Sequence, residues 1–110
     1  MANAYPHVTV THDQATAASD SDVIYTTRRL DETGQFIVYW DSDPTGTFTA
    51  ILYGRLTSDA PWYPIQSVTN ADAGLATSAN GVSYEVDIVP QMYISLSAIS
   101  GATVTLALQD

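Results

Sequence analysis

Three groups of side chains in this chain have types and spacings that chemistry could use. His7 and His12, the latter beside Asp13, are its imidazoles. Five residues apart in an extended segment, they point to opposite faces and cannot share one metal ion without a bend. The plainer reading is polar positions exposed on an edge strand. Asp20-Ser-Asp22 and Asp41-Ser-Asp43 repeat a carboxylate spacing that an oxygen-liganded Ca²⁺ uses. Neither is followed by the glycine and distal glutamate of an EF-hand loop, and acidic turns account for both. Glu85 and Asp87 share one face of a strand, opposite Tyr84 and Val86. Paired acids serve glycoside hydrolysis, but the solvated side of a strand explains this pair more simply. The chain contains no G-x-S-x-G, H-E-x-x-H or phosphate-binding glycine loop, and no serine is paired with a base. The expectation is a protein with no catalytic group, no metal and no cofactor.

The aromatic residues carry more information. In Tyr39-Trp40 and in Trp62-Tyr63, neighbouring rings fall on opposite faces of a strand, so one points outward if the other fills the core. An exposed ring can stack on a sugar or anchor a protein interface; the competing reading is a core tryptophan with a tyrosine at the sheet rim. Seven tyrosines and few charges on several strand faces favour a protein interface over a fully solvated monomer. Tyr5 and Pro6, in a segment ahead of the first strand, are further contact candidates. The expected partner-contact set is therefore Tyr5, Pro6, Tyr39, Trp62 and Tyr63.

The elements that would hold these residues are strands. From Gly46 to Leu56, Phe48, Ala50, Leu52, Gly54 and Leu56 alternate with Thr47, Thr49, Ile51, Tyr53 and Arg55, the period of a strand with one side against a core. Thr57 to Pro61 has turn composition, and Trp62-Tyr63 opens the next strand. Val8 and Val10 share a side near the start, where Pro6 suits an edge strand or extended arm. Asp13 to Asp22 reads as a loop and Val23 to Leu30 as a strand. A turn at Asp31 to Gly34 leads to Gln35–Trp40, a strand with both faces at least partly buried. Asp41 to Gly46 (DSDPTG) reads as a strong turn, Asn70 to Gly81 as a connection ending in the tight-turn pair Asn80-Gly81. Val82, Tyr84, Val86 and Ile88 mark a strand that Pro90 breaks. Met92, Ile94, Leu96 and Ala98 mark another, Ser100-Gly101 a turn, and Ala102, Val104, Leu106 and Leu108 a closing strand. About eight antiparallel strands with turn chemistry between them predict an all-β fold, a β-sandwich or, as the alternative, a small β-barrel. Residues 1–12 read as an N-terminal arm or edge strand and 13–110 as a single sandwich domain.

Composition narrows the functions. The chain of 110 residues holds twelve acids, three arginines (Arg28, Arg29, Arg55) and no lysine, for a formal net charge of −9. Such a surface repels phosphate backbones and anionic lipid, so neither nucleic acid nor membrane is an expected partner. Hydrophobic residues make up 45% of the chain, which supports a folded core over disorder. Without cysteine there is no disulfide or thiolate site. The start, MANAYPHVTV, lacks the basic and apolar regions of a signal peptide, and the expectation is a soluble product made in the cytosol.

GTFTAILYGRLTSDAPWYPI resembles many phage virion proteins, in which an alternating strand ends in Gly-x-Leu, a short polar turn follows, and Trp-aromatic-x-Ile/Leu opens the next strand. Where those proteins usually carry Asp-Gly in the turn, this chain has Asp59-Ala60-Pro61. VDIVPQMYISLSAISGATVTLAL is similar to their closing strands as well. The resemblance covers roughly residues 46–110. It implies a small β-sandwich module of head decoration (cement) proteins, head fibres or tail components, with a role in assembly rather than catalysis. The expected function is a non-enzymatic virion protein, foremost a decoration protein on the capsid surface. It would contact the major capsid protein and copies of itself, a trimer being the arrangement considered. The alternative is a carbohydrate-binding or host-adhesion module using Trp62, Tyr63 and Tyr39 against a surface glycan.

Overall fold

The computed structural model describes residues 8–26, 33–69 and 78–110, with side chains for all of these except 42–45 and 78–80. They form strands and no helix: β1 (Val8–Ala15), β2 (Ser19–Asp20), β3 (Ile24–Tyr25), β4 (Thr33–Arg55), β5 (Tyr63–Thr69), β6 (Ser78–Asp87) and β7 (Gln91–Gln109). Every pairing is antiparallel. The fold is all-β, as the alternation requires.

The axis of the fold is one long ribbon of β4 and β7, paired from Gln35↔Gln109 to Arg55↔Gln91. Midway the ladder slips: Ser42 pairs with Ala102 and Thr47 with Ser100, which leaves residues 43–46 opposite Gly101 alone. Gly101 has φ 66°, a left-handed conformation that costs glycine little. A bulge of this kind bends and twists the strand that carries it. Here it divides the ribbon into two layers of a curled sheet. The first layer runs β6, residues 33–42 of β4, residues 102–109 of β7, then β1. The second runs β5, residues 47–55 of β4, residues 91–100 of β7, then the short β2 and β3.

The core lies between the layers. Phe36, Val38 and Trp40 precede the bend, Phe48, Ala50 and Leu52 follow it, and all six join one buried cluster with Met92, Ile94, Leu96, Val104, Leu106 and Leu108 of β7. Trp40 and Phe48 meet across the corner, ring centroids 5.0 Å apart. Each large side chain fully withdrawn from water contributes about 1.5–3 kcal/mol. The shortest extent of the molecule is 22 Å, the thickness of two sheets about 10 Å apart with side chains on both outer faces.

Several expectations change. Asp41–Gly46 and Ser100-Gly101 are not chain reversals: both lie inside long strands, on opposite sides of the same bulge. Asn80-Gly81 is no turn either, being paired within β6 to Trp40 and Tyr39. The expected loop from Asp13 is strand as far as Ala15 and again at Ser19–Asp20. Of the strand expected over 23–30, Ile24–Tyr25 is paired and 27–30 lies outside the described residues. Val8 and Val10 face outward, 36% and 54% exposed, while His12 is buried. The reason is a register shift: Val10 pairs with Ala107 but His12 with Leu106, so Thr11 is an inserted residue and the faces exchange after it.

Candidate functional site

The outer face of the first layer is built from the odd-numbered residues of β4 and β7. Ile37, Tyr39, Thr105, Ala107 and Gln109 join Val8 and Val10 of β1 around a shallow depression of about 290 Å³. No charged side chain among the described residues lines it, in a chain with twelve acids. Tyr39 is 58% exposed. Its ring edge passes over Gly81, the residue it pairs with on β6: a Cβ there would sit 2.6 Å from Cδ1 of the ring. Farther along the same strands, Gln14, Tyr39, Asp41, Gly81, Thr103 and Thr105 line a second, polar depression. Gln14 adopts φ 50° and donates its backbone N–H to Thr105 Oγ1 at 3.0 Å.

The outer face of the second layer is different. Tyr53 and Tyr93, paired across β4 and β7, stack at 4.9 Å. Trp62 meets Tyr93 edge-on at 4.7 Å, and the Arg55 guanidinium lies 4.1 Å from the centroid of the Trp62 ring. Arg55 Nε also donates to Gln91 Oε1 at 2.9 Å, so the cation is held by two partners on neighbouring strands. Ser95 donates its hydroxyl to Asp20 Oδ1 at 2.6 Å, tying β2 to this face. Burial, then the Asp20 carboxylate, then Tyr53 push the Tyr93 phenol above its ordinary 10.0.

The expected contact residues do not form one platform. Tyr39 stands on the first layer, Trp62 against the ring cluster of the second, and Tyr63, 44% exposed, pairs with Gly54. Tyr5 and Pro6 lie outside the described residues, as does His7. Trp40 fills the core, and its indole Nε1–H has no hydrogen-bond partner among the described residues. His12 is not an exposed edge position. Its Nε2–H donates to the Ser19 carbonyl at 3.0 Å, and its Nδ1 is hydrogen-bonded to Thr11 Oγ1 at 2.9 Å, the Thr11 hydroxyl also reaching the Leu106 carbonyl at 3.3 Å. The ring thereby clasps β1 to the start of β2, a structural role that its neighbours in sequence did not disclose.

The carboxylates are dispersed. Asp20 is engaged by Ser95, Asp22 and Asp41 are exposed, and the Asp43 side chain is not described. Glu85 accepts from the Thr33 hydroxyl at 3.3 Å. Among the described residues, no three of His, Cys, Asp and Glu converge as metal ligands would. No described helix is long and apolar enough to cross a membrane. What fold and faces define is an all-β antiparallel module with an apolar window on one outer face and a cross-strand ring cluster on the other. Comparison with known families, curated proteins and solved structures found no match.

Proposed function

We propose that this protein is a non-enzymatic assembly module of a phage particle, a decoration protein that binds the outside of the shell through its first-layer face. The observation that carries this is the uncharged window of Val8, Val10, Ile37, Tyr39 and Ala107. An apolar patch left open to water marks an interaction surface. No charged side chain among the described residues lines that window, in a chain of net charge −9, so the fitting partner is apolar at the centre of its contact and basic at the rim. Opposite potentials would steer the encounter, and the apolar centre would hold the complex. Copies of the chain around a symmetry axis of the shell would repel one another through their acids, so affinity must come from the shell protein. Tyr5 and Pro6 stand three and two residues ahead of Val8, the first residue of the window, and are proposed as further contacts.

Mass spectrometry of purified particles tests the reading: the chain is expected in many copies per particle, and its absence would remove the idea. On particles stripped of the protein, rebinding is expected for the wild type and lost for Val10→Asp, which places a carboxylate at the centre of the window. Equal rebinding by both would move the contact elsewhere. Light scattering of the isolated chain decides whether a second copy, rather than the shell, covers the face.

A further inference from the structure

The open depression beside Tyr39 is lined by polar and apolar groups together: Gln14, Tyr39, Trp40, Asp41, Gly81, Thr103 and Thr105. Its volume is about 740 Å³. The register fixes its floor: Gly81, Tyr39 and Thr105 share one rung, and Asp41 and Thr103 share a rung two residues on. Neighbouring strands lie about 4.8 Å apart and such rungs about 7 Å apart. One sugar ring laid on the first rung therefore brings its hydroxyls over the second.

Three features prepare the surface. First, Gly81 lets the Tyr39 ring lie down on the sheet. A Cβ at that position would approach ring atoms at 2.6 and 3.0 Å, so any other residue lifts or turns the ring. A ring held this way turns an open face, with its negative quadrupole, toward the C–H side of a pyranose. Second, Gln14 is held in a left-handed conformation that glutamine seldom adopts. Such a residue costs on the order of 1–3 kcal/mol and persists where surrounding structure imposes it, commonly at ligand-binding positions. Here the bond from its N–H to Thr105 imposes it, and its side chain stands at the lip of the depression. Third, the polar groups are those that hydroxyls need. The Asp41 carboxylate accepts, while the Gln14 amide and the hydroxyls of Thr103 and Thr105 both donate and accept.

The same lining excludes other ligands. Among the described residues it holds no cation, and Arg55 is engaged in the second layer by Trp62 and Gln91. Asp41 and the overall charge of −9 repel phosphates and acidic sugars. We infer that this depression binds a neutral hexopyranose unit of a glycan, stacked on Tyr39 and hydrogen-bonded through Gln14, Asp41, Thr103 and Thr105. This site adjoins the shell contact and shares Tyr39 and Thr105 with it, while Val8, Val10, Ile37 and Ala107 lie toward the other end of the strands.

Amide chemical shifts of the full chain, titrated with malto-, cello-, manno-, galacto- and chito-oligosaccharides, test the inference. At least one is expected to shift the amides of Tyr39, Asp41, Gly81, Thr103 and Thr105 saturably. Tyr39→Ala and Asp41→Ala are each expected to weaken that binding about tenfold or more, and Val10→Asp to leave it unchanged. Both variants alter exposed side chains, and a retained wild-type amide spectrum elsewhere would show that they fold. A panel with no saturable shift, or shifts centred on Trp62 and Tyr93, would overturn the proposal. So would unaltered binding by Asp41→Ala.

Discussion

Gly81→Ala isolates the geometry of the first-layer face from the stability of the fold. The added Cβ lands 2.6 Å from Tyr39 Cδ1, whereas carbons in good contact lie about 3.5–4.0 Å apart. The ring must retreat by about 1 Å. It is 58% exposed and has water to retreat into, so the clash costs little. Gly81 has no positive φ, so alanine also restricts the unfolded chain, which stabilises by about 0.4–1 kcal/mol. The net change in unfolding free energy is expected to stay within about 0.5 kcal/mol. Gly54→Ala gives the contrast: its Cβ would sit 2.6 Å from both Ile65 Cδ1 and Val89 Cγ2, which pack in the core. Overpacking of that kind costs about 1–3 kcal/mol. At Gly34 the obstacle is the backbone carbonyl of Gln109, which no rotamer change can move, so alanine there should cost the most. Urea unfolding followed by tryptophan fluorescence ranks the three. A Gly81→Ala protein as unstable as Gly54→Ala would refute the argument, because it would mean the Tyr39 ring is locked rather than resting on the glycine. If stability holds but sugar binding falls, the flat ring is what the glycine provides.

Phe48→Ala removes a ring that is 1% exposed at the corner of the ribbon; a loss of about 3–5 kcal/mol is expected in urea unfolding with an unchanged denaturant slope, and a loss under about 1 kcal/mol would mean that the two layers do not share a core. Tyr93 gives a pH dependence: its folded phenol ionises above the unfolded value of 10.0. Below that pH both states keep the proton and the group has no effect. As pH rises past it the unfolded phenol ionises first and stability falls, until the folded phenol ionises too. Melting temperatures measured from about pH 8 to 11 should therefore fall less steeply for Tyr93→Phe than for the wild type; parallel curves would remove burial and Asp20 as the cause.

The strands were legible wherever alternation was uninterrupted. Phe48, Ala50, Leu52 and Gly54 lie inward as their period requires, and so do Met92, Ile94 and Leu96, then Val104, Leu106 and Leu108. Between those last two sets the pattern hides two insertions. The Ser97 position is skipped between Thr49↔Ala98 and Ala50↔Leu96, and Gly101 is skipped at the corner. Each exchanges the faces, and together they restore them, so Ala98 is exposed despite having the parity of the core residues; Leu56, one residue past the end of β4, was expected inward and is exposed too. DSDPTG and Ser-Gly each carry turn chemistry, yet chain reversal and a shared bend use the same residues. Only pairing, which a single sequence does not display, shows that the two signals fall at one rung. The apolar window was hidden for a like reason. Val8, Val10 and His12 have one parity, and the bulge at Thr11 sends the valines out and the imidazole in. Of the aromatic pairs, the sequence separated Tyr39 from Trp40 by face, but it could not place Trp62 at the opposite layer from Tyr39.

The two occupants assigned to the first-layer face respond oppositely to salt. Docking of an acidic module on a basic-rimmed shell draws on charges spread over the surface, which are screened beyond about 10 Å at 0.1 M ionic strength. Its association rate should fall as salt is raised, while the apolar centre keeps dissociation slow. A neutral sugar held by stacking and hydrogen bonds carries no charge to screen, so its affinity should stay flat over the same range. Val10→Asp and Asp41→Ala divide the face in the same way, one removing shell binding and the other sugar binding. If both ligands weakened together in salt, or if either variant abolished both, the face would be a single site. The division at Tyr39 would then have no functional meaning, and the ring cluster of Tyr53, Tyr93 and Trp62 would become the surface to test next.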